Sequence, residues 1–338
     1  MSQFGGKTIL ITGGTGSFGG YFVNYLRDKD FKEIRVFSRD ELKQDEMRQK
    51  LQNTKIKFYI GDIRDRSSVD DAMSGVDYVF HAAALKQVPS CEFFPMQATQ
   101  TNVHGSRNVI DSAISHGVSK VVCLSTDKAV FPINTLGITK ALMEKVVESS
   151  ARNLSERDSI LTIVRYGNVL FSRGSVIPLF LNQINNNQTI TVTEPNMTRF
   201  LLPLKEAIDL VAFALENAHQ GDIFVRKAPS CSMGDLAQAL KNVYHSKSEI
   251  KTIGMRHGEK MYETLASRGE LLRSEDLGDY LRISIDGRDL NYNKYLYEGD
   301  KNIVGTEDYN SENTTRMTLD EIERMLLAQP EITSQLEN

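Results

Sequence analysis

Cysteine is scarce in this chain: Cys91, Cys123 and Cys231 are all there is. They are odd in number and far apart, without the short spacings that hold zinc or staple a small secreted domain. Buried thiols in a reducing cytosol are the reading they support. The six histidines also lack ligand spacing, so no metal site is expected. No apolar run reaches the roughly 18 residues that a membrane span needs. Residues 1–7 run directly into a strand pattern, with no charged segment followed by an apolar one. No secretory signal is visible, and a cytoplasmic location is expected. The formal net charge is -4, which leaves no basic footprint for nucleic acid. Internal repeats and low-complexity tracts are missing too.

What is present is a regular alternation. The 338 residues suffice for one large domain or two coupled ones. Strand patterns fall at 7–12, 33–38, 55–60, 77–83, 120–125 and 160–166. Helical patterns lie between them at 17–29, 41–52, 67–74, 96–116 and 138–154. Such alternation predicts right-handed βαβ units on a parallel sheet. Strands of that kind are covered on both faces and read as continuous apolar runs, as "TILIT", "YVFHAA" and "KVVCLS" do. The expected fold class is α/β, a doubly wound parallel sheet.

After Gly167 the rhythm breaks. Helices are expected at 176–185, 204–217 and 233–244, and strands at 189–193 and 222–225. The stretch 299–315 is polar and reads as a loop or an arm that latches a neighbouring copy. Residues 319–327 carry an apolar stripe whose partner the sequence does not name. The expected division is a dinucleotide-binding domain over 1–170, with a return near 204–228. A smaller substrate-binding region would comprise 171–203 and 229–338.

The first strand pattern ends in a glycine loop. Gly13, Gly16 and Gly19 stand three apart, with Thr15, Ser17 and Phe18 among them. Glycines permit a tight turn and close backbone approach, and the helix that follows offers N–H groups to a pyrophosphate. The loop follows a strand and opens a helix, the context that dinucleotide binding requires. The end of the second strand then chooses the cofactor. An acidic side chain there binds a ribose 2′-hydroxyl, whereas cations accept a 2′-phosphate. The chain has Ser38, Arg39, Asp40 and Lys43. If Asp40 caps the next helix, Arg39 and Lys43 face a phosphate, so NADP is favoured over NAD. Asp62 and Ile63, after the third strand, are placed to meet adenine. Ala82, Ala83 and Ala84, after the fourth, keep side chains small where a cofactor passes.

Several longer segments carry a resemblance. "AAALKQVP", "LSTDKAVFPIN", "VRYGNVLFSRGSVIPLF", "MTRFL" and "RHGEK" resemble extended short-chain dehydrogenases/reductases, and within them UDP-N-acetylglucosamine 4,6-dehydratases of polysaccharide biosynthesis. "RSEDLGDYLRISIDGRDLNYNKY" is similar to the inverting, capsule-type subgroup, which also epimerises C5. The resemblance implies oxidation at sugar C4, loss of the C5 proton with the C6 hydroxyl as water, and return of hydride to C6.

It further implies roles for individual residues. Asp127 would be the acid for the C6 hydroxyl and Lys128 the base at C5, with Thr126 as a relay. A base must be an uncharged amine, so a lowered Lys128 pKa is expected, with Lys86 as the nearby cation. The superfamily's Tyr-x-x-x-Lys falls on Leu136 and Lys140. Lys140 keeps the ribose role, Leu136 cannot move a proton, and the O4 proton is assigned to Asp127. Tyr166 is grouped with the cofactor contacts. For a UDP-sugar, Asn168, Arg173, Ser175, Val176, Arg199, Arg256 and Glu259 are the expected binding residues. A homo-oligomer is expected. The competing readings are a UDP-sugar 4-epimerase and a catalytically silent NADP-binding regulator.

Overall fold

The computed structural model describes residues 3–155, 158–286 and 306–336. Its frame is a run of βα units: β1 (Thr8–Thr12), α1 (Ser17–Arg27), β2 (Glu33–Ser38), α2 (Glu41–Leu51), β3 (Ile56–Ile60), α3 (Arg66–Met73) and β4 (Tyr78–His81). Two short helices follow, α4 (Val88–Phe93) and α5 (Pro95–Thr99), then a π-helical turn at Gln100–Gly105 and α6 (Ser106–Ser115). β5 (Lys120–Leu124), α7 (Thr135–Ala151) and β6 (Ile160–Arg165) complete the unit. The strands pair in parallel in the order β3-β2-β1-β4-β5-β6, the order of a doubly wound dinucleotide-binding sheet.

Side-chain alternation explains why the sheet is covered on both faces. All five β1 residues are buried. Leu10 packs with Val109 and Ile110 of α6 and with Met143 and Val147 of α7. Its neighbours Ile9 and Ile11 point the other way, toward Phe22, Val23 and Leu26 of α1.

Beyond β6 the chain leaves the sheet and comes back. β7 (Asn168–Val169), α8 (Val176–Asn185), β8 (Ile190–Val192) and β9 (Thr198–Leu202) lie outside it, and α9 (Leu204–Asn217) covers the α1 face. β10 (Ile223–Arg226) then pairs in parallel with β6. The chain leaves again through β11 (Ser230–Ser232), α10 (Met233–Val243), β12 (Ile250–Thr252), β13 (Thr264–Ala266) and α11 (Arg268–Leu271). It returns as β14 (Ser274–Asp276) and β15 (Tyr280–Ile283), which form an antiparallel edge beside β10. Residues 274–283 therefore belong to the sheet, although the sequence reading put them in the outer region. β16 (Tyr309–Asn310), α12 (Leu319–Leu327) and α13 (Pro330–Leu336) close the described chain.

The outer region has its own core, in which α8, α10 and α12 meet. Ile322 and Leu326 of α12 pack beside Leu236 and Leu240 of α10, which supplies the partner for the apolar stripe at 319–327. Two other sequence expectations change. The single helix over 96–116 is broken: Pro95 restarts the chain as α5, and a π-helical turn precedes α6. Of the stretch 299–315, residues 299–305 lie outside the described residues. The remainder is no free arm, because β16 pairs with β13 and Ser311 is fully buried.

Candidate active site

The carboxyl ends of β1, β2, β4, β5 and β6 open into one cavity of about 1280 Å³. Gly13 adopts φ +69°, and a Cβ there would lie 2.8 Å from the backbone nitrogen of Ala83. Only glycine allows the loop to pass so close to β4. The first turn of α1 carries no side-chain cap and no acidic residue, so its N–H groups face the cavity rim unclaimed by a cap. Phe18 stacks on Tyr166 at 5.3 Å between ring centres. These features fit a dinucleotide pyrophosphate: a cradle that a side chain would fill, beside an uncapped helix N-terminus.

At the end of β2, Asp40 caps α2 by accepting from the Lys43 backbone nitrogen at 3.1 Å. It also pairs with the Lys43 ammonium. Arg39 lies 3.8 Å from Asp62, which is held more tightly by Arg64 at 2.6 Å. Lys140 reaches back from α7 and donates to the Leu124 carbonyl at 2.6 Å. Burial lowers its pKa to about 8, while Cys123 and Glu144 push it up.

The turn after β5 holds Asp127 and Lys128. Ser125 and Asp127 donate their backbone N–H groups to Val164 and Tyr166 of the β6 strand end, at 2.8 and 3.2 Å. Residues 127–129 form a single 3-10 turn capped by Thr126. Gly137 of α7 packs on it so closely that a Cβ would meet the Lys128 carbonyl at 2.2 Å. Asp127 is fully buried. Its Oδ1 accepts from Thr126 at 2.9 Å and from Lys128 at 3.1 Å. Its Oδ2 has no partner among the described residues. Burial raises the Asp127 pKa; Lys128 opposes the rise and Glu263 adds to it. A carboxyl group with a raised pKa and a free oxygen is suited to donating a proton.

A family model described as "Polysaccharide biosynthesis protein" matches residues 9–285. The chain belongs to that family. A second model, "Polysaccharide biosynthesis protein C-terminal", matches residues 286–333. Proteins of Rickettsia conorii and Rickettsia bellii described as UDP-glucose 4-epimerase are 55% and 56% identical over 340 residues, covering 99% of this chain and 100% of theirs. The X-ray structure of Pen from Bacillus thuringiensis superposes with a TM-score of 0.86 at 37% identity, over 96% of this chain and 99% of that one. DesIV of Streptomyces venezuelae, a dTDP-glucose 4,6-dehydratase, shares the fold at a TM-score of 0.68 and 22% identity, over 75% of this chain and 86% of that one. This polysaccharide-biosynthesis protein is thus an extended short-chain dehydrogenase/reductase, as the motifs implied.

Each residue assigned to cofactor, catalysis or substrate from the sequence lines the cavity in this family member. Besides Asp127, two of them carry a buried oxygen with no partner among the described residues: Asn168 Oδ1 and Ser175 Oγ. Glu259 accepts from the Arg256 backbone at 2.9 Å and so shapes the turn that presents Arg256. Two expectations are corrected. Lys86 does not face Lys128; its amine donates to the Arg173 carbonyl at 2.9 Å. The cation that faces Lys128 is Arg199, held in place by the Thr198 carbonyl at 2.7 Å. Nor is the Lys128 pKa lowered. Burial pushes it down, but Asp127 and Glu263 outweigh that and raise it.

Glu263 was missed. It is 3% exposed and its Oε1 lies 3.3 Å from the Lys128 amine. It sits just before β13, in the outer region, where no local pattern marks it. The sequence reading placed no element between 245 and 298, so nothing singled out this residue.

Proposed function

We propose that the protein is an NADP-dependent UDP-N-acetylglucosamine 4,6-dehydratase that inverts C5. Its product would be a UDP-2-acetamido-2,6-dideoxy-4-hexulose for bacterial surface polysaccharide or glycan. The observation that carries this reading is the pairing of buried Asp127 with half-buried Lys128 in the cavity that the glycine loop and Lys140 also line. A 4-epimerase needs no acid–base pair for C5 and C6. Leu136 stands where the superfamily's tyrosine would serve the O4 proton.

A bound nicotinamide would supply reversible hydride transfer with the sugar. The chain's own residues do the rest. Lys140 holds the nicotinamide ribose. Asp127 takes the O4 proton, with Thr126 at 2.9 Å as a relay, and passes it to the departing C6 hydroxyl, which leaves as water. Lys128 takes the C5 proton once its amine is uncharged. Arg256, Glu259, Arg173, Asn168 and Ser175 hold the nucleotide and sugar, and the free oxygens of Asn168 and Ser175 are open to sugar hydroxyls. Arg39 and Lys43 favour NADP because Asp40 is engaged as a helix cap. Arg39→Ala should weaken NADP binding about tenfold or more while leaving NAD nearly unchanged, read by fluorescence titration. Three buried, unpaired thiols suit a cytoplasmic location.

The test is incubation with UDP-N-acetylglucosamine in heavy water, with product mass spectrometry and NMR. Loss of one water and deuterium at C5 are expected. A second reading, UDP-glucose 4-epimerase, is favoured by the descriptions of the Rickettsia relatives. An isomeric product of unchanged mass, without deuterium at C5, would replace the dehydratase by the epimerase. Bound NADP with no turnover of any UDP-sugar would point to the silent regulator.

A further inference from the structure

We infer that Glu263 is a positioning residue: it holds the Lys128 amine between itself and Asp127, and so sets where the proton of that pair resides. The inference takes its meaning from the dehydratase reading, but its geometry is independent of it.

The Lys128 amine lies 3.1 Å from Asp127 Oδ1 and 3.3 Å from Glu263 Oε1. Glu263 enters from the outer region and is fixed there by its backbone. Its carbonyl accepts from the Ser311 N–H at 2.8 Å, and its own N–H donates to Ser311 Oγ at 3.0 Å. Its second oxygen is 3.5 Å from Lys260, and Lys260 donates to the Val130 carbonyl at 2.8 Å, one residue past the reactive turn. The site thus holds two buried carboxyl groups around one amine.

Two such groups cannot both ionise cheaply, and their surroundings decide which does. Burial pushes Glu263 up, but Lys128, Arg199 and Lys260 together hold it below the usual range. Asp127 faces Lys128 and Thr126 on one side and Glu263 on the other, with Tyr166 nearby, and burial prevails. These surroundings favour the negative charge on Glu263, the proton on Asp127 and the ammonium form of Lys128. The pair titrates as a unit, so its limbs belong to the cluster and not to one residue. Removing the Glu263 charge takes an anion from Lys128 and a like charge from Asp127, which lowers the proton affinity of both.

The test uses the full-length protein with NADP bound. Labelled lysine is followed by NMR against pH in wild type, Glu263→Gln and Glu263→Asp, with the Lys128 signal assigned through Lys128→Arg. Lys128 should titrate above its ordinary 10.5 in wild type. It should fall by roughly one unit or more in Glu263→Gln and recover in Glu263→Asp. The kcat–pH profile on UDP-N-acetylglucosamine should move as a whole to lower pH in Glu263→Gln, with KM little changed. An identical Lys128 titration in wild type and Glu263→Gln overturns the inference. If Glu263→Gln does not fold, the wild-type signal decides, and titration below 10.5 overturns it. If wild type turns over no UDP-N-acetylglucosamine while Lys128 shifts as stated, the dehydratase reading fails and the assignment of Glu263 stands.

Discussion

At the scale of single residues, position along the chain and position in the site are different kinds of information. Asp127 and Lys128 were legible because they sit at a strand end inside a long motif. Their charge states were not, because these depend on Glu263 and Arg199, which arrive from distant segments. Asp127→Asn should lower kcat by about 10²- to 10⁴-fold, and C4 oxidation should slow with it. Single-turnover absorbance of the reduced nicotinamide checks this. Full-rate oxidation with failed elimination would remove Asp127 from the O4 step. A second buried cluster bears on stability. Arg165 of β6 pairs with Glu144 at 2.6 Å and Glu270 at 2.8 Å. Burial pushes Glu270 up, but Arg165 dominates and its pKa falls from an ordinary 4.5 to about 2. Its folded value is depressed, so its contribution is present above pH 4.5 and is lost as pH falls toward 2. That difference corresponds to about 3 kcal/mol. Glu270→Gln should destabilise the protein by about that much at pH 7 and flatten the loss over this window. Denaturant unfolding at stepped pH reads both.

At the scale of elements, the strong periodicities were readable and the interruptions were not. The glycine loop, α1 and the apolar strands follow from spacing and side-chain alternation. The break within 96–116 does not. There Asn102, in the π-helical turn, bonds to the Leu85 carbonyl at 3.0 Å and to Thr139 at 3.0 Å. A tertiary tie of that sort leaves no periodic trace. α7 shows how one cap can serve two purposes. Asn134 accepts from the Gly137 N–H at 2.9 Å and donates to the Gly258 carbonyl at 2.9 Å. Asn134→Ala should cost about 1 kcal/mol of stability. It should also raise the KM for the UDP-sugar, because the turn bearing Arg256 and Glu259 loses its anchor. Thermal unfolding and initial-rate kinetics separate the two effects.

At the scale of the whole molecule, the parallel sheet was expected and is present, because βαβ alternation leaves few topologies. The antiparallel edge made by β14 and β15 was not foreseen, since short strands after an irregular stretch carry little pattern. Assembly belongs to this scale. Phe93 and Phe94 at the α4–α5 junction, Met96 of α5, and Ile138 and Leu142 of α7 are exposed, and α4 and α5 both pack on α7. Apolar side chains so placed suit burial against a second copy. Leu142→Glu together with Ile138→Glu should shift light-scattering mass toward the monomer. An unchanged mass would exclude this face.

The path of the chain after β6 bears on how such proteins can diversify. The polypeptide crosses repeatedly between the nine-stranded sheet and the outer core, and β10, β14 and β15 are sewn into the former from segments flanking the latter. A chimera joined at one junction to another family member would graft foreign edge strands onto the native sheet along with the new sugar pocket. Exchange of sugar preference by recombination would therefore need several matched crossovers at once, whereas substitutions along the cavity wall leave the stitching intact.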